Sequence, residues 1–367
     1  MAEIGPNTRL RVSPFYEATV REGVTGFSPY NKMLMPVSYG HPQAEYERLL
    51  TGVAQWDVAV ERQVEIKGPN AAALAQILSV RDISKIEFGM GRYVPMCDHR
   101  GVLINDPVLL KLEEDRYWFS IGDNNILLWA RAIAAERGIE AEIEEPDVSP
   151  MALQGPKAED VVASVLGDWV RSLRYFGFDH AEINGIPLIV QRSGYSKQGG
   201  FELYLLDGSR GSELWNIFRE AGQPFGIGPG NPNPAERIES GLLSFGGDTD
   251  DQTTPFEVRL GKYVNLDLPD EVVGIPALRK HHADGLKRHL VGVKLDDQNQ
   301  RPGHLRWYDV EKNGTRVGSM TNGVWSPRFD TTIGYLLVTT DVQPGDRVEV
   351  LREDGRFAGT VSDIPFY

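Results

Sequence analysis

The sequence is poor in the residues that would place a protein in a membrane, in an oxidising compartment or on nucleic acid. Its 367 residues include one cysteine, Cys97, and no run approaching the ~18 apolar residues of a membrane-spanning helix. One cysteine cannot form an intramolecular disulfide and supplies no cysteine-based metal site. A net charge of -14 opposes binding to phosphate backbones or anionic lipid. We therefore expect a soluble, cytoplasmic protein with no metal, membrane or nucleic-acid partner.

The length predicts more than one domain, because single hydrophobic cores stop growing well below 367 residues. Residues 53–145 read as strand, helix, strands, helix, strand, an order typical of a ferredoxin-like α+β unit. A strand that runs into Gly-Pro and then into a helix occurs at Gly68-Pro69 and again at Gly155-Pro156, which indicates an internal repeat. From residue 291 short strands alternate with glycine-containing turns, which favours a small antiparallel barrel or jelly roll.

Several features that could suggest a ligand are interpreted as structural. Residues 226–230, Gly-Ile-Gly-Pro-Gly, lack the third glycine of a dinucleotide-binding loop, so we expect a rigid loop there. His281 and His282 have no third ligand at a suitable spacing, and we expect a solvated pair. Cys97 has no histidine motif beside it, which favours a buried or idle thiol over a nucleophile.

Two segments carry polar residues that need an explanation. In the strand predicted at residues 103–112, Asp106 lies between two apolar halves, where a charge must be compensated or used. The alternative is a turn-capping carboxylate beside Pro107. In the segment at residues 192–204, period-two geometry puts Glu202 and Tyr204 on one strand face. A carboxylate accepts two parallel N–H donors, so this pair suits a heterocycle edge such as that of a pterin; the alternative is an exposed edge with a solvated glutamate.

A third segment, residues 236–246 followed by Thr-Pro-Phe-Glu at residues 254–257, opens with a charged helix start. Its charges could equally form a structural ion-pair network. The three segments, in this order, resemble the T-protein (aminomethyltransferase) family of the glycine cleavage system. The matching patterns are a G-G-x-x-D-D-type strand at residues 101–106, a G-Y-x-x-x-x-G-F-E strand at residues 194–202 and an R-x-E-x-G helix at residues 237–241. A further match at residues 318–335 resembles the C-terminal barrel of the family, so the resemblance spans nearly the whole chain.

The resemblance implies an α+β fold of three domains in a ring around a central folate channel. The first domain, α+β and folate-binding, would combine residues 1–52 with residues 146–250. The second, ferredoxin-like, would span residues 53–145. A connecting segment at residues 251–287 would lead to a C-terminal, jelly-roll-like antiparallel β-barrel at residues 288–367.

Within the family the sequence is most similar to the dimethylsulfoniopropionate demethylases, in stretches that include residues 30–36, 56–64, 105–112 and 145–150. This subgroup resemblance implies a methyltransferase that moves a methyl group from a small sulfonium zwitterion to tetrahydrofolate. The products would be 5-methyltetrahydrofolate and 3-(methylthio)propionate. A homodimer is left open.

The resemblance also assigns roles to residues. Asp106 matches the central aspartate of the family and is the predicted catalytic residue. The predicted folate contacts are Tyr93, Asp106, Glu202 and Tyr204. The predicted substrate contacts are Tyr30, Met33, Asn105, Tyr195 and Trp325.

Two departures from the family patterns bear on the alternatives. Asn233 stands where T-proteins carry an arginine, which argues against an aminomethyl carrier as the donor. Tyr195 stands where the demethylases carry a tryptophan, so an aromatic wall is retained. A methylated amine remains an alternative donor. A non-catalytic folate-binding accessory protein for iron-sulfur assembly is a further alternative, but those relatives carry a cysteine in the motif at residues 194–198.

Overall fold

The computed structural model describes residues 8–297 and 306–367. The chain divides into two compact units, each assembled from segments that are distant in sequence. Unit 1 comprises Met1–Leu74, Ile86–Arg92 and Val108–Asn233, and unit 2 comprises Ala75–Lys85, Tyr93–Pro107 and Pro234–Tyr367. The three-domain boundaries expected from the sequence stay a prediction.

The helices are short, and in the two described ranges none is long and apolar enough to cross a membrane. The α-helices are α1 (Tyr16–Arg21), α2 (Pro42–Thr51), α3 (Ala71–Leu78), α4 (Ile126–Glu136), α5 (Ala158–Leu166), α6 (Gly211–Ala221), α7 (Pro234–Glu239) and α8 (Ile275–Asp284). Short 3₁₀ helices lie at Asp168–Ser172, Gly208–Arg210, Gln223–Phe225 and Gly261–Tyr263.

Strands make up most of the remaining ordered structure. Before residue 234 the strands are β1 (Gly26–Tyr30), β2 (Met33–Ser38), β3 (Val53–Asp57), β4 (Gln63–Lys67), β5 (Met90–Tyr93), β6 (Met96–Cys97), β7 (Leu103–Asn105), β8 (Val108–Glu113), β9 (Arg116–Ser120), β10 (Glu142–Glu144), β11 (Ser149–Gln154), β12 (Phe178–Ile183), β13 (Ile186–Gln191), β14 (Gly200–Leu205) and β15 (Ile227–Gly230). The C-terminal strands are β16 (Arg288–Leu295), β17 (Tyr308–Lys312), β18 (Thr315–Ser326), β19 (Thr331–Thr339), β20 (Arg347–Arg352) and β21 (Gly355–Ser362).

Unit 1 is organised around a six-stranded mixed sheet in the order β12-β13-β14-β11-β3-β15. Because side chains alternate along a strand, one face is apolar and carries Leu153 of β11 and Leu203 of β14. Helices α5 and α6 cover this face with buried side chains that include Val161 and Trp215. Burying each such side chain contributes about 1.5–3 kcal/mol to folding. Strand β3, which the sequence analysis placed with residues 53–145, pairs here with β11.

The opposite face of this sheet is more polar. Across it, strand register aligns Trp56 of β3 with Ala152 of β11, Ala152 with Glu202 of β14, and Glu202 with Gln191 of β13. Neighbouring strands lie about 4.8 Å apart, so Trp56 and Glu202 are separated by about 10 Å with the small Ala152 between them. We call this surface the polar face; it carries candidate site residues of unit 1.

A second, five-stranded sheet in unit 1 has the order β10-β4-β9-β8-β5. Trp118 of β9 and Leu110 of β8 pack with Tyr204 of β14 in one apolar cluster, which buries the end of the polar face. The Trp118 indole donates to Glu65 Oε2 at 2.6 Å, and Arg116 Nε donates to the same oxygen at 2.6 Å. These contacts join β9 to β4 and fix the Trp118 ring, whose centroid lies 6.2 Å from that of Tyr204.

The structure confirms one local prediction and corrects two. The strand, Gly-Pro, helix passage occurs twice, with Gly68 (φ 111°) before α3 and Gly155 (φ 129°) before α5. The single strand predicted at residues 103–112 is wrong: it is divided into β7 and β8 by Asp106 and Pro107, because proline has no N–H for the ladder. The rigid loop predicted at residues 226–230 is also wrong, since β15 pairs with β3 in parallel.

The C-terminal strands of unit 2 form a closed six-stranded barrel in the order β16-β19-β18-β17-β20-β21. Its neighbours are antiparallel throughout. Alternate residues point inward and fill the interior with aliphatic side chains such as Val293, Leu336 and Val350. The predicted antiparallel barrel is therefore confirmed.

Candidate functional site

Glu202 is the buried carboxylate of the polar face, with 7% of its surface exposed. Two hydroxyls donate to its Oε2 atom: Ser193 Oγ, in a short contact, and Tyr204 OH at 3.1 Å. The amide oxygen of Gln191 lies 3.0 Å from Ser193 Oγ and 3.1 Å from Tyr204 OH. Glu202 and Tyr204 thus share one strand face, as period-two geometry predicted.

Burial and hydrogen bonding act on the pKa of Glu202 in opposite directions. Burial raises the pKa of Glu202, and the hydrogen bonds from Ser193 and Tyr204 oppose that rise. Burial raises the pKa of Tyr204, and the charge of Glu202 raises it further. The phenol therefore stays protonated and acts as a hydrogen-bond donor. Within residues 8–297 and 306–367 both hydrogen bonds to this carboxylate reach Oε2, and Oε1 receives none. An ionised Glu202 therefore keeps one oxygen for the N–H groups of a ligand.

The loop between β13 and β14 crosses the polar face because two glycines let it approach closely. Gly194 (φ 148°) and Gly200 (φ 147°) have backbone conformations that favour glycine, and a Cβ on either would collide with Gln154. The Gln154 amide donates to Ser193 O at 3.0 Å and accepts from Ser196 Oγ at 2.7 Å. The loop is thereby held near its start, at Ser193, and in its middle, at Ser196.

The remaining predicted contacts in unit 1 do not share one environment. Tyr195 packs half-buried against a small cluster on the polar face that contains Trp56 and Ala152. Met33 is buried in the main core, on the opposite face of the sheet, and Tyr30 packs against that core. Tyr195 is therefore the member of this group that lies on the face of Glu202.

Asp106 is the candidate carboxylate of unit 2. It follows β7 directly, and Tyr93 OH donates to its Oδ2 atom at 2.7 Å. Burial raises the pKa of Asp106 to about 7, the hydrogen bond from Tyr93 opposes the rise, and the charge of Asp248 adds to it. A carboxyl group with a pKa near neutrality can both accept and release a proton at physiological pH.

Tyr93 is itself held in place by two contacts. Its ring meets the ring of Tyr263 edge-on, with 5.2 Å between the centroids. Arg81 Nη1 donates to the backbone oxygen of Tyr93 at 2.9 Å, and the same guanidinium lies 4.9 Å from the centroid of Tyr263. Ring and backbone of Tyr93 are both restrained, which fixes the direction of its hydrogen bond to Asp106.

The other two predicted contacts of unit 2 lie in strands. Asn105 is fully buried in β7, opposite Met96. Trp325 is half-buried in β18, opposite Thr332 of β19. The predicted site residues thus fall into two groups. Unit 1 contains Tyr30, Met33, Tyr195, Glu202 and Tyr204, and unit 2 contains Tyr93, Asn105, Asp106 and Trp325.

The charged helix start at residues 236–246 forms a buried ion-pair network in unit 2. Arg237 Nη1 lies 2.5 Å from Asp248 Oδ2, and Asp248 Oδ1 accepts from Thr321 Oγ1 at 3.1 Å. Glu239 accepts from Ser326 Oγ at 2.5 Å. Because Thr321 and Ser326 belong to β18, the network ties α7 to the barrel, which is the structural alternative left open by the sequence.

Removal of Arg237 should destabilise unit 2. In Arg237→Ala the buried Asp248 would lose its cation, and we expect the free energy of unfolding to fall by about 3–5 kcal/mol. Urea denaturation followed by tryptophan fluorescence measures this change. Arg316→Ala, which breaks the exposed pair with Asp309 on the barrel, is the matched control and should cost less than about 1 kcal/mol. An equal decrease in the free energy of unfolding in both variants would show that the buried pair contributes no more to stability than the exposed one.

Sequence reasoning missed three residues that the structure adds to the site. Ser193 directly precedes Gly194, so its position in the motif could have been noticed. Gln191 reaches Glu202 through strand register, and Tyr263 reaches Tyr93 across 170 residues of sequence. Neither contact produces a local pattern from which it could have been predicted.

Two family models together match most of the chain. Residues 15–268 match the GCVT N-terminal domain, and residues 288–367 match the glycine cleavage T-protein C-terminal barrel domain. The chain is similar to the crystal structure of glycine cleavage system aminomethyltransferase T from Bartonella henselae, with a TM-score of 0.85, 22% identity and 98% of each chain covered. This likeness establishes the fold.

Two relatives match almost end to end. Dimethylsulfoniopropionate demethylase DmdA from Ruegeria pomeroyi is 39% identical over 364 residues, covering 99% of both chains. An aminomethyltransferase from Caldanaerobacter subterraneus subsp. tengcongensis is 29% identical, covering 98% of this chain and 96% of its own. The chain belongs to the glycine cleavage T-protein family. It is a tetrahydrofolate-dependent enzyme of one-carbon transfer.

The residues of unit 1 fit a folate. The pterin edge presents N–H donors, and Glu202 Oε1 is an acceptor to which no residue in the described ranges donates. Tyr204 and Ser193 hold the other oxygen, so the carboxylate has a fixed orientation.

Among residues 8–297 and 306–367, no group of three or more histidine, cysteine or acidic residues is arranged to hold a metal ion.

Proposed function

We propose that this enzyme is a demethylase that transfers a methyl group from dimethylsulfoniopropionate to tetrahydrofolate. The observation that carries the proposal is the 39% identity to a dimethylsulfoniopropionate demethylase over 99% of both chains. The aminomethyltransferase relatives are 28–30% identical over similar lengths. Asn233, in place of the T-protein arginine, further supports a donor other than an aminomethyl carrier.

Glu202 and Tyr204 bind the acceptor in this proposal. The ionised Glu202 carboxylate accepts paired N–H donors from the heterocycle, an interaction that is stronger than a neutral hydrogen bond. Tyr204 donates to Glu202 Oε2 at 3.1 Å and so fixes the plane of the carboxylate. Tyr93, through its hydrogen bond to Asp106, contributes to the folate contacts in unit 2.

Asp106 accepts the proton released by the transfer in this proposal. Tetrahydrofolate supplies the nucleophilic nitrogen to which the methyl group is transferred. The S–CH₃ bond breaks as an N–CH₃ bond forms, the thioether leaves as a neutral molecule, and the proton of the nitrogen passes to Asp106. A carboxylate whose pKa is about 7 is suited to this proton transfer near neutral pH. The activated sulfonium needs alignment and exclusion of water rather than a strong base.

Aromatic side chains would recognise the sulfonium cation. A cation placed over an aromatic face gains about 0.5–2 kcal/mol, more where water is excluded. Tyr195, Tyr30 and Trp325 are half-buried and retain surface that a ligand could contact. Met33 and Asn105 are proposed as substrate contacts on the family resemblance alone, since both side chains are buried in the structure.

The proposal is tested by incubating the purified protein anaerobically with tetrahydrofolate and dimethylsulfoniopropionate. We expect 5-methyltetrahydrofolate and 3-(methylthio)propionate in equal amounts, quantified by liquid chromatography and mass spectrometry. A reaction without folate is the control for spontaneous demethylation. Folate binding without any methyl transfer would reject the sulfonium donor, and methylated amines would then be assayed in the same way.

A further inference from the structure

The side chain of Ser193 occupies a position between two acceptors on the polar face. It is 3% exposed, and its Oγ atom lies within hydrogen-bond distance of both Gln191 Oε1 and Glu202 Oε2. The Tyr204 hydroxyl faces the same two oxygens, each at 3.1 Å. Since each hydroxyl has one proton, each can donate to one of the two acceptors at a time.

The acceptor on Gln191 is immobile. Its Nε2 atom donates to the backbone oxygen of Phe176 at 3.1 Å, which directs Oε1 towards the two hydroxyls. Gly91 lies against the same amide, and a Cβ at Gly91 would come within 2.5 Å of Nε2. The Gln191 side chain is therefore held in one orientation. The hydroxyl protons of Ser193 and Tyr204 can reorient without moving it.

The charge of Glu202 decides where the two protons point. An ionised carboxylate attracts both hydroxyls, because hydrogen bonds to a charged acceptor are about twice as strong as neutral ones. Both then saturate Oε2, and the carboxylate cannot rotate without breaking them. Oε1 is left as the acceptor to which no residue in the described ranges donates.

We propose that Ser193 is a positioning residue, which orients the Glu202 carboxylate so that Oε1 is presented to the N–H groups of the bound folate. This inference rests on the proposed role of Glu202 in folate binding. It deepens that role, because it assigns the selection of one carboxylate oxygen to a residue that does not itself contact the ligand. It is independent of the identity of the methyl donor.

The inference predicts a specific change in folate binding when the hydroxyl is removed. In Ser193→Ala, Glu202 loses one of its two donors, and we expect the Kd for tetrahydrofolate at pH 7 to rise about 10-fold or more. The apparent KM for folate should rise similarly while kcat changes less than about threefold. Quenching of intrinsic tryptophan fluorescence, titrated anaerobically, measures the Kd without any methyl donor.

The pH dependence separates positioning from a structural role. A hydrogen bond from Ser193 lowers the pKa of Glu202, so its loss raises that pKa further. Folate binding that requires the ionised carboxylate is lost as pH falls through this pKa, and in Ser193→Ala the loss should begin at higher pH. Tyr204 is the titratable group that faces Glu202, and the charge of Glu61 acts on Tyr204. Both residues are unchanged in the variant.

Two further variants complete the experiment. Ser196→Ala is the matched control for loop restraint, because Ser196 lies in the same loop and bonds Gln154 rather than Glu202. Its Kd and pH profile should shift far less than those of Ser193→Ala. Ser193→Cys keeps a donor at the same position, a weaker one on a somewhat larger atom, and should give an intermediate Kd. This variant keeps the test valid if Ser193→Ala fails to fold.

Parent-like Kd and pH profile in both Ser193 variants would overturn the inference. An equal effect in Ser196→Ala would also overturn it, since the loop rather than the hydroxyl would then be responsible. Failure of the parent protein to transfer methyl from dimethylsulfoniopropionate, with folate binding intact, would reject the donor proposed above and leave this test unaffected.

Discussion

Replacement of Asp106 by asparagine is expected to lower kcat for methyl transfer by about 10²- to 10⁴-fold. Asparagine retains an oxygen that can accept the hydrogen bond from Tyr93, but it cannot take up a proton at neutral pH. If Asp106 merely positioned the folate, the amide would conserve much of the activity. Stopped-flow or quenched-flow measurement of 5-methyltetrahydrofolate formation at saturating substrates gives kcat directly.

The pH profile provides an independent test of the role of Asp106. Its pKa of about 7 predicts that kcat/KM falls as the solution is acidified through neutrality, because the protonated carboxyl cannot accept a proton. The hydrogen bond from Tyr93 lowers this pKa, so in Tyr93→Phe it should rise and the acidic limb should move to higher pH. Activity of Tyr93→Phe should be reduced at pH 7 and largely restored at pH 9.

A suitable control is Asp267→Asn, which removes an exposed carboxylate of unit 2 and should retain the parent rate. Asp106→Asn within about threefold of the parent, with an unshifted profile in Tyr93→Phe, would contradict the assignment of Asp106 as proton acceptor.

The parts of the fold that follow from local periodicity could be predicted from the sequence. The Gly-Pro passages, the placement of Glu202 and Tyr204 on one face and the C-terminal antiparallel barrel depend on residues close together in the chain. In each case a repeating pattern of apolar residues or a glycine with restricted alternatives fixes the local geometry.

The parts that depend on long-range pairing could not be predicted. β15 resembles a glycine-rich loop because its side chains are minimal, and it becomes a strand through its pairing with β3, about 170 residues earlier. Tyr263 supports Tyr93 for the same reason: the contact exists once distant segments are brought together. The charges of Arg237 and Glu239 were visible in the sequence, but their burial against the barrel was not.

Replacement of Glu202 by glutamine is expected to weaken tetrahydrofolate binding by about 100-fold. The variant loses the hydrogen bonds to a charged acceptor, and its amide N–H group faces the N–H donors of the ligand. The Kd is measured by anaerobic fluorescence titration. Glu182→Gln is the matched control, because Glu182 is exposed on β12 of the same sheet and should leave the Kd unchanged.

The stability of Glu202→Gln should change in the opposite direction to its binding. Because burial raises the pKa of Glu202, its ionised form opposes folding, and this destabilisation is greatest at a pH above that pKa. A neutral side chain of equal size removes it, so the Tm of Glu202→Gln at pH 8 should equal or exceed that of the parent. A buried carboxylate that costs stability and is required for binding is characteristic of a functional group. A lower Tm together with unchanged folate affinity would instead make Glu202 a structural residue of the six-stranded sheet.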